Sequence, residues 1–443
     1  MLGWLLTGGA LPWLLSLVGV FFWIYLKGGP FRHPIRMLRV FWAKPEPGAM
    51  SPRRALLLAL AGTLGVGNLV GVANAIWIGG AGAVFWMWIS ALIAMILKYA
   101  EILLAVAHRR VGSRGFFGGS YYYIMDELRR RKWAKAAVAV SGAVAILMVL
   151  NGLSMGCIIQ ANAVSTAFRG VLHLPAWLIA VVLTVMTVPV ILRGTKGISA
   201  LTEILVPIMT AGYLILSVAV LVIRWDALGA ALLSIFRSAF SAEAFGGGVL
   251  GFFTSRALRV GTMRGLMSNE AGCGTAPTAH AAADCESPAS QGIWGVMEVF
   301  VDTILLCSAT ALVILVNRED ALEFGSDAMM MSIRAYSGVL GDWAEWFFCA
   351  AVVCFAWATI LCWANYGMES VRFLSNRRIV RYGYVALFGA GIVVGCLLAP
   401  EQIWTLADFA IAALTTVNLL FLLLMRKRIK HETEVWGSVR ESK

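Results

Sequence analysis

Charge is scarce in this chain. Asp, Glu, Lys and Arg make up 14% of its 443 residues, against 60% hydrophobic residues. That balance excludes a soluble globule. Signatures of other chemistries are missing too. The sequence holds no HExxH and no Walker A stretch, so zinc hydrolysis and ATP-driven transport have no residues to carry them. Its eight cysteines form no CxxC pair and no metal-ligand spacing with histidine. They are expected to be free thiols acting as small apolar side chains. Gly152-Leu153-Ser154-Met155-Gly156 fits the GxSxG pattern only in letters. It lies inside a long apolar helical stretch, where a strand-to-helix elbow has no place, and His173 and His280 read as loop residues remote from it. No enzyme activity is expected.

What the chain has in abundance is long hydrophobic runs. About eleven candidate spans follow, at roughly 11–26, 55–78, 82–107, 136–168, 175–192, 200–223, 243–258, 290–316, 343–367, 382–398 and 403–425. The first has no basic flank before it and no cleavage pattern after it, so it reads as a retained helix rather than a signal peptide. The expected fold is an all-α, multi-pass protein of the cell membrane, one membrane domain over 1–443.

The net charge of +12 is distributed by loop. Alternate loops carry Lys27, Arg32, Arg36, Arg39, Lys44, Arg53 and Arg54, then the basic run from Arg109 to Lys135. Arg193 and Lys196 follow, then Arg256, Arg259 and Arg264, then Arg372 to Arg381 and the tail. The other side has few basic residues beside the acidic stretch Glu319 to Asp342. This is the positive-inside pattern, with the amino terminus outside and the carboxyl terminus cytoplasmic. A nucleic-acid surface would instead gather its basic residues on one face, so no nucleic-acid partner is expected; the bilayer is the partner.

One span is unlike the rest. Ala61-Gly62-Thr63-Leu64-Gly65-Val66-Gly67-Asn68-Leu69-Val70-Gly71 puts four glycines and an asparagine at the middle of an apolar segment. A helix in lipid is loosened only where its freed backbone groups line a cavity and find partners, and such interruptions are how secondary transporters hold a small polar substrate and its coupling ion. Setting aside 1–54, an extra helix and a basic loop, the rest divides into five spans over 55–223, five over 243–425 and a tail, 426–443. Because five is odd, the second half must cross inverted. It opens on its own glycine run, Gly246 to Gly251, at the corresponding position. The competing reading is that these glycines only permit close helix packing. The polar stretch Met267 to Pro288 is expected to form one or two short helices at the cytoplasmic mouth.

Three blocks resemble the alanine or glycine:cation symporter family, which has the LeuT-type inverted-repeat fold. They run from Gly62 to Val106, from Ser268 to Ala283, and from Phe355 to Glu369. The resemblance implies import of a small neutral amino acid with a cation, usually sodium, and no other cofactor. In the unwound segment, Thr63, Gly65, Val66, Gly67 and Asn68 would meet the zwitterion. In the second interruption the corresponding candidates are Gly247, Gly248, Val249 and Phe252. Gln160 is a further substrate candidate; Asn162, about 200° away around a helix, would serve a neighbouring helix. Both equally suit interhelical hydrogen bonding. By the resemblance, Gly62, Gly65, Phe355, Ala358 and Thr359 surround the ion, and Trp363 walls the substrate pocket, although a core role for that tryptophan is the plain alternative.

The chain departs from the family at Val66, where threonine is usual, at Ala358, where serine is usual, and near Val249, where phenylalanine is usual. The glycine pair and methionine usual before the tyrosines become Gly118-Gly119-Ser120. The first three changes remove polar groups or enlarge the pocket, which suits a larger apolar amino acid. Intramembrane charge gives the remaining candidates. Lys98 and Glu101, one turn apart, suit an internal ion pair. Glu298 and Asp302, at i and i+4, suit a gate or a proton path. Proton-coupled transport and a non-transporting amino-acid sensor are the alternatives.

Overall fold

The computed structural model describes residues 11–42, 50–112, 115–240, 255–318, 321, 323–325, 327–398 and 401–438. Among the described residues the fold is helical apart from one small hairpin, Arg110–Gly112 with Gly115–Phe117. Eight helices are long and apolar enough to cross a membrane among the described residues, or nine if one bent pair counts as a single span. The run at 175–192 appears as the shorter apolar helix Ala176–Leu192. Most of the run at 243–258, with Gly247, Gly248, Val249 and Phe252, lies outside the described residues.

In chain order the helices are α1 (Leu11–Tyr25), α2 (Pro34–Arg39), α3 (Pro52–Thr63), α4 (Val72–Gly79), α5 (Gly82–Ala107), α6 (Ser120–Arg130), α7 (Ala134–Leu153), α8 (Ile159–Leu172), α9 (Ala176–Leu192), α10 (Gly194–Ile223) and α11 (Trp225–Ala239). Then come α12 (Arg256–Asn269), α13 (Pro277–His280), α14 (Pro288–Val299), α15 (Ser308–Val316), α16 (Ala328–Leu340), α17 (Trp343–Leu374), α18 (Arg378–Leu397), α19 (Glu401–Leu424) and α20 (Arg426–Ser438). Wide π turns at Ser154–Ile158 and Phe300–Cys307 join α7 to α8 and α14 to α15.

Local sequence sets the helix starts. Ser51 accepts the Arg54 N–H with Pro52 at the first helical position, and Ser287 forms a reciprocal capping box with Ser290 ahead of α14. Packing depends on missing side chains. α5 is buried along most of its length because glycines approach it from both sides. A Cβ on Gly261 or Gly265 of α12 would stand 2.2 Å from Ala83 O or Ser90 Oγ, and one on Gly292 or Gly295 of α14 would collide with Tyr99 or Ile102. Small residues let helices close to contact in lipid, where dispersion and hydrogen bonds hold them.

The stretch after α12 overturns one expectation. Between the end of α12 at Asn269 and the start of α14 at Pro288 lies one short helix, α13, within the one or two expected, but most of the stretch is buried among other helices instead of exposed as its polarity suggested. Gly272 abuts Leu15 of α1, Leu97 of α5 and Leu419 of α19. Glu270, Gly272 and Gly274 adopt left-handed backbone (φ 50°, 79° and 76°), a conformation that glycine tolerates and that ends a helix. The polar letters misled because their partners are internal: the Gly274 N–H donates to Glu101 Oε2 at 2.9 Å, and Asn418 Nδ2 donates to Gly272 O at 2.9 Å.

A second correction follows. Val260 and Gly261 sit against Gly79 and Ala83, at the α4–α5 turn. Arg256 and Arg259 therefore lie at the end of the bundle opposite to the one the loop-by-loop charge count gave them, and Arg264 lies further in, beside Gly265, which packs on Ser90 and Met87. That count treated 243–258 as a full crossing, whereas α12 is only about 21 Å long and starts at Arg256.

Candidate functional site

The centre of the molecule is the break between α3 and α4, whose axes bend by 56°. α3 stops at Thr63, and Leu64 leaves the helical region with φ −76° and ψ 78°. A wide turn, Gly67–Gly71, then restarts the helix. Freed backbone groups must find partners, and four other helices supply them. The Val66 N–H donates to Gln160 Oε1 of α8 at 3.3 Å. Thr359 Oγ1 of α17 donates to Leu64 O at 3.3 Å. Thr310 of α15 donates to Asn68 O at 2.9 Å, and Ser332 of α16 donates to Leu69 O at 3.0 Å. Thr310 and Ser332 carried no sequence signal, because a hydroxyl facing a break looks the same in sequence as one facing its own helix.

Asn68 is fully buried and ties the break together. Its Oδ1 accepts the Gly65 N–H at 3.1 Å, while its Nδ2 donates to Asp302 Oδ1 at 2.8 Å and to Ser268 Oγ at 3.1 Å. Ser268 Oγ donates to Asp302 Oδ2 at 2.7 Å, and Thr303 Oγ1 donates to the same oxygen at 2.8 Å. Asp302 is buried and has no cationic partner among the described residues. Ser268 could have been suspected, since it opens the polar block that the resemblance had marked.

The other candidates assemble on the opposite wall. Gly62 packs on Cys362 and Tyr366, and Gly65 on Thr359 and Gln160, so closely that any Cβ would collide. Thr359 Oγ1 also donates to Phe355 O at 2.9 Å, and Ala358 is buried one residue before it. Thr63 is buried, and its hydroxyl has no partner among the described residues. Gly67 faces open space. Trp363 is fully buried against Gly152 of α7 and Gly156 of the π turn that follows it, and its indole N–H has no partner among the described residues. Asn162 turns away and donates to Gly395 O and Leu398 O, both at 3.1 Å.

Glu298 and Asp302 bond different partners, to which the π turn that begins at Phe300 sends them. Glu298 Oε1 meets Lys98 Nζ at 3.1 Å and its Oε2 meets His280 Nε2 at 3.1 Å, all three side chains fully buried. Lys98 also stands 3.9 Å from Glu101, whose Oε2 accepts from Asn418 and from the Gly274 N–H. The ion pair anticipated within α5 is thus a network across α5, α14, the buried stretch after α12, and α19. His280 belongs to this core rather than to a remote loop. Ser154 donates back to Leu150 O within its own helix, as expected of a GxSxG stretch with no elbow. All eight cysteines are free.

Known proteins fit this architecture. L-phenylalanine-bound MhsT shares the fold with a TM-score of 0.59 at 12% identity, covering 90% of this chain and 94% of its own. A manganese transporter of Eremococcus coleocola gives a TM-score of 0.53 at 15% identity, covering 88% and 80%. Such structural neighbours include LeuT-fold transporters. In sequence, the chain is 33% identical over 400 residues to the sodium/alanine symporter AgcS of Methanococcus maripaludis, covering 89% of this chain and 86% of the relative. It is 31% identical over 410 residues to the amino-acid carrier protein AlsT of Bacillus subtilis, covering 92% and 85%. The sodium:alanine symporter family model matches residues 2–443; with its broken central helix and transporter fold, the chain belongs to that family.

Proposed function

We propose that this protein is a secondary active symporter that imports a neutral amino acid with a cation, sodium, by alternating access. One observation carries the reading. The backbone freed at Leu64 to Asn68 is held from two sides, by Gln160 and Thr359 on one and by Asp302 and Ser268 on the other. Unwound backbone offers N–H groups to a carboxylate and carbonyls to a cation or an ammonium. Hard oxygens suited to sodium stand in two places. Leu64 O, Phe355 O and Thr359 Oγ1 form one set, and the Asp302 carboxylate with Ser268 Oγ forms the other. Gly62 and Gly65 bring the first set together by letting α3 lie on α17.

In this reading the amino terminus is outside and the carboxyl terminus cytoplasmic. The repeats are 55–223 and 243–425, and the bilayer and the amino acid are the partners. The glycine run Gly246 to Gly251, expected to be the second interruption, lies outside the described residues, and in this reading the left-handed stretch Glu270–Gly274 serves as the counterpart of the first break. Proton coupling is the second reading, and the buried Asp302, which has no cationic partner among the described residues, favours it.

Uptake of labelled neutral amino acids into proteoliposomes under a sodium gradient, a proton gradient or neither tests the proposal. Sodium-driven accumulation supports it and proton-driven accumulation supports the second reading. Absence of accumulation under every gradient removes both.

A further inference from the structure

We infer that the extra helix α1 forms one wall of the compartment that receives the substrate's side chain, and that this compartment selects aliphatic and thioether side chains. The inference rests on the symporter reading above and deepens it. A cavity opens between α1, the first π turn, α12 and α19; its apolar wall includes Leu15, Met155, Met263, Met267, Cys273 and Ile411. The polar groups of the lining each have a partner. Thr415 donates its hydroxyl to Ile411 O and Cys273 Sγ, and the Glu270 carboxylate accepts from Thr275. Asp408, the other carboxylate of the lining, has Arg264 near it.

The cavity adjoins the polar centre through its own wall. Gln160 Nε2 donates to Met155 O at 3.4 Å while its Oε1 accepts the Val66 N–H. Met267 directly precedes Ser268, which bonds Asn68 and Asp302. A zwitterion seated on the unwound backbone would therefore place its side chain beside Met155 and Met267. α1 reaches the stretch after α12 itself, because a Cβ on Gly272 would lie 2.9 Å from Leu15 Cδ2. Three methionines give an adjustable wall, since each has three rotatable side-chain bonds and a polarisable sulfur. Such a wall accommodates aliphatic and thioether chains of different length, and a rigid ring that fills the cavity removes that room, at about tenfold or more per methylene excluded.

The test uses the full-length protein in proteoliposomes, with initial uptake rates and competition constants for alanine, leucine and methionine. Leu15→Phe, which fills the cavity, should lower leucine and methionine uptake relative to alanine by about tenfold. Leu15→Ala should shift the ratio the other way, and Met263→Phe, on a different helix, should repeat the Leu15→Phe effect. A ratio unchanged in all three well-inserted variants overturns the inference. So does a wild type that accumulates alanine while leucine and methionine neither enter nor compete, an outcome that leaves the symporter reading standing. If mass spectrometry finds a co-purified acyl chain that Leu15→Phe displaces with no change of ratio, the cavity belongs to lipid and the inference falls. A wild type that accumulates no amino acid under any gradient removes both.

Discussion

Two regions flank the central break, and they are held in different ways. The first is built on α5, with α1, α12, α14 and α20 packed around it. It is locked by buried charge, with Lys98, Glu298, His280 and Glu101 in one network. α20 closes it below: Tyr99 and Thr433 share a hydrogen bond, and Arg36 donates to Trp436 O and Gly437 O. The second is built on α17 and α18, with α7, α8 and α9. Its core contacts are mainly apolar, and its polar contacts are mostly side chain to backbone, as from Asn162 and from Ser165 to Cys396 O. Residues such as Val181, Val185, Leu387 and Val393 face outward, as lipid-facing surfaces do. An ionic network tolerates little change, because removing one partner strands the others. An apolar contact yields gradually. The first region is expected to behave as a rigid unit and the second as the surface it works against, with the break between them.

Mutations can break that contrast. The largest effect is expected from Gly265→Leu, which drives a side chain into Ser90 and Met87. Little mature protein should reach the membrane, and normal levels by immunoblot would refute the tight packing of α12 on α5. Next comes Lys98→Met. It leaves Glu298 and Glu101 buried without their ammonium, at a cost of about 3–5 kcal/mol. A sharply lowered unfolding temperature in detergent is expected, and Glu298→Gln in the same background should restore part of the loss. A wild-type melting curve for Lys98→Met would show that the network is not what holds this region.

Asn68→Ala should abolish uptake while the protein still inserts, since one side chain joins Gly65, Ser268 and Asp302. Normal transport by that variant would remove the pocket from the break. Thr359→Val removes a hydroxyl shared by Leu64 O and Phe355 O. It should raise the cation concentration needed for half-maximal uptake by about tenfold or more, the scale of losing one hydrogen bond to a charge, and leave folding intact. The smallest effect is expected from Asn162→Ala. It forfeits two interhelical hydrogen bonds worth about 1 kcal/mol each and should leave transport kinetics unchanged.

The first break is legible in the sequence, because glycines and an asparagine inside an apolar run contradict helix chemistry wherever they occur. Gln160 and Thr359 are legible for a related reason: each puts a polar side chain in a stretch otherwise committed to lipid or core. Thr310 and Ser332 are not, since their role is fixed by which backbone carbonyl lies opposite. The stretch after α12 misleads for a deeper reason. Polarity in sequence reports what a residue needs, not where it gets it, and here Glu101 and Asn418 supply it from within the bundle.

By itself, then, the sequence determined that this is a membrane-embedded helical protein with a backbone interruption, because hydrophobic run lengths and helix-breaking residues act locally. Only the tertiary structure decided that Asp302 answers Asn68 while Glu298 answers Lys98 and His280. A single wide turn at Phe300 separates the two carboxylates, and no spacing rule counts it. It also decided that α1, dispensable to a five-plus-five count, reaches Gly272 through Leu15, because contact between distant segments follows from how glycines let helices close, not from their order in the chain.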